Sequence, residues 1–352
     1  MTTTAAGTAS PVATPLDRAV TVDAPARLHL GFLDPAGTLG RRFGSLGLVV
    51  QGLSTRIVLR AAAQDRVSAD HPDAAADLDR AAAHLRQLQA RSGCEQPLHL
   101  HLVHTLAPHS GLGSGTQLAL AIGRGFARWH GLALSSAELA AWLGRGRRSG
   151  IGIAGFDQGG LLLDGGPMAD GRPAPLLARL GLPPAWRVLV VSDPSRSGLS
   201  GPAEQQALAR LAPLGRAQAA EICHETLMRV LPGAAGDDFA SCAAGISRIQ
   251  QVLGEHFAPA QHGEPYTSPA VGRLMRWLAH AARNVDGDTP AGAGIGQSSW
   301  GPTGFALLPS AERAQALLQA ARAAGVVEDR LRLRIVAVRD QGATVIDTRS
   351  DR

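Results

Sequence analysis

Apolar and polar positions along this chain follow two different periods. Residues 97–103 alternate, as in a half-buried strand, whereas residues 118–129 repeat their apolar positions at helical spacing. The segment 106–117 between them is rich in Gly, Ser and Thr, which are typical of loops and turns. The pattern therefore predicts a strand, a short loop and a helix in direct succession.

The remaining segments predict an early group of strands and a later group of helices. Strands are predicted at 20–33 with an interruption at Pro25, at 46–59 as two strands joined by a turn at 51–53, and at 161–164, 186–192 and 331–338. Helices are predicted at 73–91, 135–144, 202–212, 216–230, 237–253, 268–283 and 310–324. Glycine-rich loops are predicted at 147–160 and 292–304. This order predicts an α+β fold of two lobes, 19–185 and 186–352, after a disordered tail, 1–18.

Composition narrows the classes of function. The 352 residues and the 45% hydrophobic content suffice for two domains of ordinary size. The net charge of +5 comes from arginines, because the chain has no lysine; they are scattered except for one denser patch at Arg145, Arg147 and Arg148. This distribution favours small anionic molecules over nucleic acid. No apolar run reaches the roughly 18 residues of a membrane helix, and the first residues do not resemble a secretory signal. The three cysteines lie far apart. We therefore expect a cytoplasmic protein without a membrane or nucleic-acid partner.

The loop at 106–117 is the strongest candidate for a binding site. A glycine-rich turn at a helix start directs backbone N–H groups toward one point near the positive end of the helix dipole, which suits phosphate or diphosphate. The candidate anion-binding residues are Ser110, Gly111, Leu112, Gly113, Ser114, Gly115 and Thr116. The alternative is a helix cap with turn glycines. The absence of lysine excludes a Walker loop, and the glycine spacing departs from the dinucleotide-binding pattern.

Three other groups of polar residues each allow two interpretations. Arg27 and His29 alternate with leucines, so they share one strand face and either contact an anionic ligand or face solvent. Asp157 lies in a glycine-rich turn, where it either caps the turn or acts as a general base or a magnesium-facing carboxylate. His99 and His101 have a metal-chelating spacing, but no second pair completes a tetrahedral set, which favours surface histidines.

Three segments resemble motifs of the GHMP kinase superfamily, named for galactokinase, homoserine kinase, mevalonate kinase and phosphomevalonate kinase. They are the early strand 24–31 (APARLHLG), the loop 108–115 (PHSGLGSG) and the later loop 294–302 (GIGQSSWGP). The resemblance covers 20–340. It implies a two-lobed α+β fold with a ribosomal-protein-like N-terminal lobe, a ferredoxin-like C-terminal lobe and the site between them.

Departures from the kinase motifs resemble one branch of that superfamily, the β-ribofuranosylaminobenzene 5'-phosphate synthases. The second motif ends in Gly115-Thr116-Gln117, and the third contains the run QSSWGP at 297–302. The resemblance implies that phosphoribosyl diphosphate reacts with 4-hydroxybenzoate or 4-aminobenzoate, releasing carbon dioxide and diphosphate, in tetrahydromethanopterin biosynthesis. It also implies magnesium as a cofactor and allows a homodimer. An ATP-dependent small-molecule kinase and a non-catalytic member of the superfamily are the alternatives.

The same resemblance implies roles for individual residues. Asp157 lies where kinase relatives carry their catalytic aspartate, and it is the expected catalytic residue. The expected substrate-binding residues are Arg27, His29, Arg148, Gly296, Gln297, Ser298 and Ser299. Arg27 is the first candidate to bind the arene carboxylate, and Arg148 is the second, because only arginine or backbone amides are available for it. Metal ligands stay unassigned.

Overall fold

The strands form two sheets in the computed structural model, which describes residues 18–199, 201–284 and 292–348. Apart from Arg18, the tail predicted as disordered lies outside these residues. The first sheet comprises β1 (Ala19–Asp34), β2 (Phe43–Ala61), β3 (Arg66–Ala69), β4 (Leu98–His104), β5 (Leu161–Asp164), β6 (Leu176–Leu180) and β11 (Thr344–Thr348). The second comprises β7 (Arg187–Ser192), β8 (Gly294–Gln297), β9 (Thr303–Leu308) and β10 (Arg332–Ala337).

Most strand pairs in both sheets are antiparallel. The first sheet has the order β11-β1-β2-β4-β3, and β5 pairs with β2 and β6. The second has the order β10-β7-β9-β8. The pair β3 and β4 is parallel. Both sheets therefore follow the α+β pattern that the sequence predicts.

Most helices lie where the apolar spacing predicts them. They are α1 (Pro72–Ala75), α2 (Leu78–Ser92), α3 (Ser114–His130), α4 (Ser136–Trp142), α5 (Ile151–Asp157), α6 (Gly201–Arg210), α7 (Arg216–Glu225), α8 (Leu231–Ala235), α9 (Phe239–Phe257), α10 (Pro269–Asn284) and α11 (Ala311–Ala323). A π turn joins α7 to α8. None of the helices within 18–199, 201–284 and 292–348 combines the length and the apolar character of a membrane span.

The first two strands are longer than predicted. The predicted interruption at Pro25 and the predicted turn at 51–53 are both wrong, because β1 and β2 each continue through them. The register of the β1–β2 pair shifts between Pro25 and Arg27 and again between His29 and Gly31. Such bulges absorb a proline and bend a strand without ending it. A continuous, bent β1 therefore carries Arg27 and His29 into the centre of the molecule.

The segment predicted as the loop 147–160 contains a helix, α5. The glycines that suggested a loop serve close packing instead. A Cβ on Gly152 would lie 3.0 Å from Thr116 Cγ2, and one on Gly155 would lie 2.9 Å from Val49 Cγ2. The contacts of α5 with α3 and β2 therefore outweigh the low helix propensity of glycine.

The two lobes share one hydrophobic cluster. Leu28 and Leu30 of β1 belong to the same buried cluster as Ile249 of α9 and Phe305 of β9. The strand β11 also pairs with β1, so the predicted lobe 186–352 wrongly includes a strand of the first sheet. A β-bridge between Val50 of β2 and Val338, which follows β10, connects the chain that leaves the second sheet to the first sheet.

Candidate active site

The three motif segments meet at one hydroxyl group. Ser298 Oγ accepts a hydrogen bond from the backbone N–H of His29 at 2.9 Å and donates one to the carbonyl of Gly111 at 2.6 Å. Two further contacts leave no room for a side chain. A Cβ on Gly111 would lie 2.2 Å from the Ser298 carbonyl oxygen, and one on Gly301 would lie 2.1 Å from that of Ser110. The structure thus brings β1, the loop at 108–115 and the loop at 294–302 together.

The start of α3 is open toward this junction. Gly111 and Gly113 have φ values of +90° and +81°, which glycine adopts without strain. Gly113 is the N-cap residue and supplies no side-chain cap. The amides of Ser114 and Gly115 open the helix, where backbone N–H groups have no intrahelical acceptor. These amides and the helix dipole favour an anion at this point.

The start of α5 lies beside α3 but is already neutralised. Asp164 Oδ2 accepts hydrogen bonds from the amides of Gly150 at 2.8 Å and Ile151 at 3.2 Å. Burial raises the pKa of Asp164, although these hydrogen bonds oppose that effect. Of these two helix starts, the one of α3 is therefore the better suited to an anion.

Arg27 flanks the open helix start with an unsatisfied donor. Its backbone N–H donates to the carbonyl of Leu112 at 3.2 Å, and its Nη1 donates to that of Gly111 at 3.4 Å. The buried Nε has no hydrogen-bond partner among the described residues. Burial lowers the pKa of Arg27 to about 10, against the opposing charges of Asp164 and Glu204. Arg27 therefore stays cationic at neutral pH and is available to a ligand.

Arg148 is engaged in an ion pair. Its Nη1 and Nη2 lie 2.5 Å and 2.6 Å from the two carboxylate oxygens of Glu204 on α6. Only Nη2 makes a hydrogen bond of good geometry to Glu204, while Nη1 contributes by the proximity of opposite charges. Arg148 therefore lies at the site, but Glu204 already balances its charge.

An aromatic-lined pocket opens next to the junction. It encloses about 420 Å³ of empty space, which includes space open to solvent. We call it the aromatic pocket; its lining residues are His29, Gly31, Phe32, Gln250, Leu253, Gly254, Phe257, Gln261, Pro265, Gln297, Ser299 and Trp300. The rings of Phe257 and Trp300 lie 4.8 Å apart, and those of His29 and Phe32 lie 4.5 Å apart.

The glutamine side chains of the aromatic pocket are occupied by the protein itself. Gln297 Nε2 donates to Gln261 Oε1 at 2.8 Å, and Gln297 Oε1 accepts from the Thr267 amide at 2.6 Å. Gln250 bridges β1 and β8, since it donates to the Leu30 carbonyl and accepts from the Gln297 amide. These amides shape the pocket and have little capacity left for a ligand.

His29 supplies an unsatisfied polar atom at this pocket. The side chain is buried, and Nε2 has no partner among the residues that the structure describes. Burial lowers the pKa of His29 to about 3, with further lowering by the charges of Arg27 and Arg148. The ring is therefore neutral at physiological pH and does not serve as an anion-binding cation.

The structure places Asp157 away from the loop, and the catalytic role expected for it stays a prediction. Because α5 is a helix, it carries Asp157 to its far end, and Asp157 Oδ1 accepts a hydrogen bond from Ser136 Oγ at 2.5 Å. Arg124 of α3 donates to the same hydroxyl. Arg124 lies ten residues beyond Ser114, about 15 Å along the helix. The side chain of Asp157 is thus exposed at a helix–helix contact remote from the open end of α3.

The other predicted residues lie at the junction in mainly structural contacts. Ser110 Oγ donates to the Ala107 carbonyl, and the buried Leu112 belongs to the core cluster that the two lobes share. A side chain on Gly296 would displace the side chain of Gln250, which bridges β1 and β8. Ser299 has a φ of +54° and lines the aromatic pocket.

The histidine pair of β4 lies elsewhere in the first sheet. His99 Nε2 and His101 Nδ1 both bond to Ser68 Oγ, at 2.7 Å and 2.8 Å, and His101 Nε2 lies 2.9 Å from Asp70. Within the described ranges, no group of three or more His, Cys, Asp or Glu side chains is placed to hold a metal ion. Both side chains are half-buried and are engaged by Ser68 and Asp70.

Sequence reasoning missed several residues of the site. Gln250 carries a weak signal, because it is a polar residue beside Ile249 on the buried stripe of α9. Glu204 and Asp164 show no local signal, since their partners lie 56 and 14 residues away. Long-range packing alone places them.

Comparison with known proteins agrees with the fold and the motifs. Residues 78–163 match the family model for the GHMP kinases N terminal domain. A homoserine kinase structure from Cytophaga hutchinsonii aligns with a TM-score of 0.60 at 17% identity, over 97% of this chain and 100% of that one. A mevalonate diphosphate decarboxylase structure from Staphylococcus aureus aligns with a TM-score of 0.62 at 14% identity, over 94% and 98%. These likenesses establish the GHMP kinase fold.

Sequence relatives identify the branch. A beta-ribofuranosylphenol 5'-phosphate synthase from Archaeoglobus fulgidus is 32% identical over 299 residues, which cover 81% of this chain and 87% of the relative. A protein of the same name from Methanothermobacter thermautotrophicus is 27% identical over 305 residues, covering 81% and 88%. The QSSWGP loop contacts both β1 and the glycine loop at 108–115. The chain that carries it belongs to the beta-ribofuranosylphenol 5'-phosphate synthase family.

Proposed function

We propose that the protein transfers ribose 5-phosphate from phosphoribosyl diphosphate to 4-hydroxybenzoate, with release of carbon dioxide and diphosphate. The observation that carries this proposal is the junction itself, where an open helix start adjoins a pocket with aromatic walls. The relatives are named for a phenol product, which supports the hydroxyl over the amino substrate. The step would belong to tetrahydromethanopterin biosynthesis.

The start of α3 is suited to the leaving diphosphate. When the bond between ribose C1 and the diphosphate oxygen breaks, its electron pair moves to the diphosphate and leaves an oxocarbenium-like ribose. Fixed N–H groups at Ser114 and Gly115 would stabilise the charge that develops on the leaving group. No protein nucleophile is required for this step.

The aromatic pocket is suited to the arene. The ring carbon that bears the carboxylate attacks ribose C1, and a carbon–carbon bond forms. The bond to the carboxyl carbon then breaks, its electron pair returns to the ring, and carbon dioxide leaves. With its proton on Nδ1, the neutral His29 ring would accept a hydrogen bond from the para hydroxyl at Nε2 and increase electron donation into the arene. Arg27, between the pocket and the helix start, would bind the carboxylate before it is lost.

The residues around the loop do not form a magnesium site of their own. Both oxygens of Glu204 face Arg148, and the oxygens of Asp164 accept hydrogen bonds from amides and from Ser149. Magnesium prefers carboxylate and water oxygens or the oxygens of substrate phosphates. Magnesium would therefore be held by the diphosphate oxygens of the substrate, and the helix amides would add to the neutralisation of their charge.

A product assay tests the reaction. Purified protein is incubated with phosphoribosyl diphosphate and carboxyl-labelled 4-hydroxybenzoate, and in parallel with ATP and the same arene. We expect labelled carbon dioxide and diphosphate in equal amounts in the first mixture and no ADP in the second. ADP formation without release of carbon dioxide would overturn the proposal in favour of a kinase.

A further inference from the structure

A cluster of basic side chains lies beside the start of α3, around Gly115. It comprises Arg80 and His84 of α2 and Arg145, which follows α4; we call it the basic cluster. Arg145 Nη1 lies 3.4 Å from the position that a Cβ on Gly115 would occupy. Arg145 Nη2 lies 3.4 Å from His84 Nε2. The basic cluster therefore adjoins the first turn of α3, while Arg27 packs against Gly113.

The hydrogen-bond roles within the cluster leave two donors unsatisfied. A guanidinium group can only donate, so His84 Nε2 must accept from Arg145, and the neutral ring then carries its proton on Nδ1. His84 is 7% exposed, and its Nδ1 has no partner among the described residues. The buried Nε of Arg145 also lacks one. A buried donor without an acceptor loses its hydrogen bond to water and gains none in return, so this arrangement favours a ligand rich in acceptor oxygens.

The charges of the cluster are also incompletely balanced. Arg80 forms an ion pair with the buried Asp77. Arg145 forms no ion pair within the described residues. Burial lowers the pKa of Arg145, and the neighbouring charge of Arg80 lowers it further. Burial, the charge of Arg145 and the charge of Arg80 together lower the pKa of His84 to about 4. An anion between these groups would relieve the repulsion.

We propose that the basic cluster is a phosphate subsite, which binds one phosphate group of phosphoribosyl diphosphate beside the first turn of α3. This inference rests on the proposed function. A phosphate group offers at least three acceptor oxygens, enough for the Arg145 guanidinium and a helix amide together. Two groups of the substrate have this chemistry, the terminal phosphate of the diphosphate and the 5-phosphate of the ribose.

Calorimetric titration tests the subsite and distinguishes the two sources. Inorganic diphosphate and ribose 5-phosphate are titrated separately into the wild-type protein, Arg145→Met and Arg147→Met. Arg147 is exposed and two residues away, so it provides a matched loss of charge. We expect Arg145→Met to weaken one of the two ligands roughly 10- to 100-fold, the range of a lost charge-assisted hydrogen bond. The affected ligand identifies the phosphate. Equal affinities in Arg145→Met and Arg147→Met would overturn the subsite.

A second variant covers the case in which Arg145→Met misfolds. Gly115 lies inside α3 with an ordinary backbone conformation, so Gly115→Ala should fold normally. Its methyl group would stand between the helix start and Arg145, and it should weaken the same ligand as Arg145→Met. Unchanged affinity in folded Gly115→Ala would contradict the proposal. The titrations need no turnover, so a protein without transferase activity can still confirm or overturn the subsite.

Discussion

Arg27 and Arg148 carry the same charge at the same junction, but their bonding differs. Arg148 forms an ion pair with Glu204, whereas Arg27 has a buried Nε without a partner and forms no ion pair in the described part of the chain. An ion pair that is already complete gains little from a further anion, while an unsatisfied guanidinium gains a full charge-assisted hydrogen bond. The structure therefore favours Arg27 as the ligand of the arene carboxylate.

Substitution of these two arginines should separate their roles. Arg27→Met keeps the aliphatic stem and removes the charge, so we expect the KM for 4-hydroxybenzoate to rise about 10-fold or more. The KM for phosphoribosyl diphosphate should change little. Arg148→Met should leave both KM values nearly unchanged and lower the stability, because it leaves Glu204 buried without its partner. Steady-state kinetics with each substrate varied in turn is the measurement. A rise confined to phosphoribosyl diphosphate in Arg27→Met would mean that Arg27 binds phosphate.

At the scale of single residues, the sequence predicts the relative placement of residues that lie close along the chain. The alternation around Arg27 and His29 predicts a shared strand face, and the register of β1 with β2 is unbroken between them. The sequence does not predict that His29 is neutral, since its low pKa follows mainly from burial by segments far along the chain. The sequence does not predict that Arg80 and Arg145 lie in one basic cluster, because they lie on separate elements that only packing brings together.

At the scale of elements, the strand, loop and helix around residues 97–130 are predicted well. Their signals are local, namely apolar alternation, turn glycines and helical spacing. The helix α5 is not predictable in this way. Its glycines favour a loop, and the interactions that stabilise it come from Asp164 and from close packing against α3. A long-range cap and a tight interface leave no periodic trace in the sequence.

The helical state of α5 changes the expectation for Asp157. The resemblance to kinases predicts a catalytic carboxylate, whereas the structure places Asp157 in a hydrogen bond with Ser136 at the opposite end of α5 from Gly150. We therefore expect Asp157→Asn to keep kcat within a few-fold of the wild type and to lower the free energy of unfolding by about 1 kcal/mol, as for a partly exposed hydrogen bond. Turnover assays and urea unfolding measure the two effects. A loss of kcat by orders of magnitude at unchanged KM would restore Asp157 to the chemistry.

At the scale of the whole molecule, the sequence predicts two lobes but not how they are joined. The change from strands to helices near residue 185 separates the first sheet from the second. The return of β11 to β1 has no signal of its own, because β11 is short and mostly exposed. The shared cluster of β1, α9 and β9 depends on a bent β1, whose bulges the sequence shows only as an interruption. The site lies on this joint, so its geometry depends on both lobes being packed together.

The free energy of unfolding depends on pH through His29, which lies at this joint. Its side chain is buried beside the shared cluster, and its folded-state pKa of about 3 lies below the ordinary value of 6.5. Between these values the unfolded chain binds a proton that the folded chain does not bind. The contribution of neutral His29 to the free energy of unfolding is therefore fully present well above pH 6.5, and it is lost as the pH falls from 6.5 toward 3. From pH 7.5 to 5.5, we expect His29 to account for a loss of about 1.4 kcal/mol in the free energy of unfolding.

Urea unfolding of the wild type and His29→Gln at both pH values isolates this contribution, because glutamine does not titrate and the remaining groups are common to both proteins. The loss between the two pH values should be smaller in His29→Gln by that amount. An equal loss in both proteins would mean that His29 is protonated in the folded state at pH 5.5, and the neutral acceptor assigned to the aromatic pocket would then be wrong.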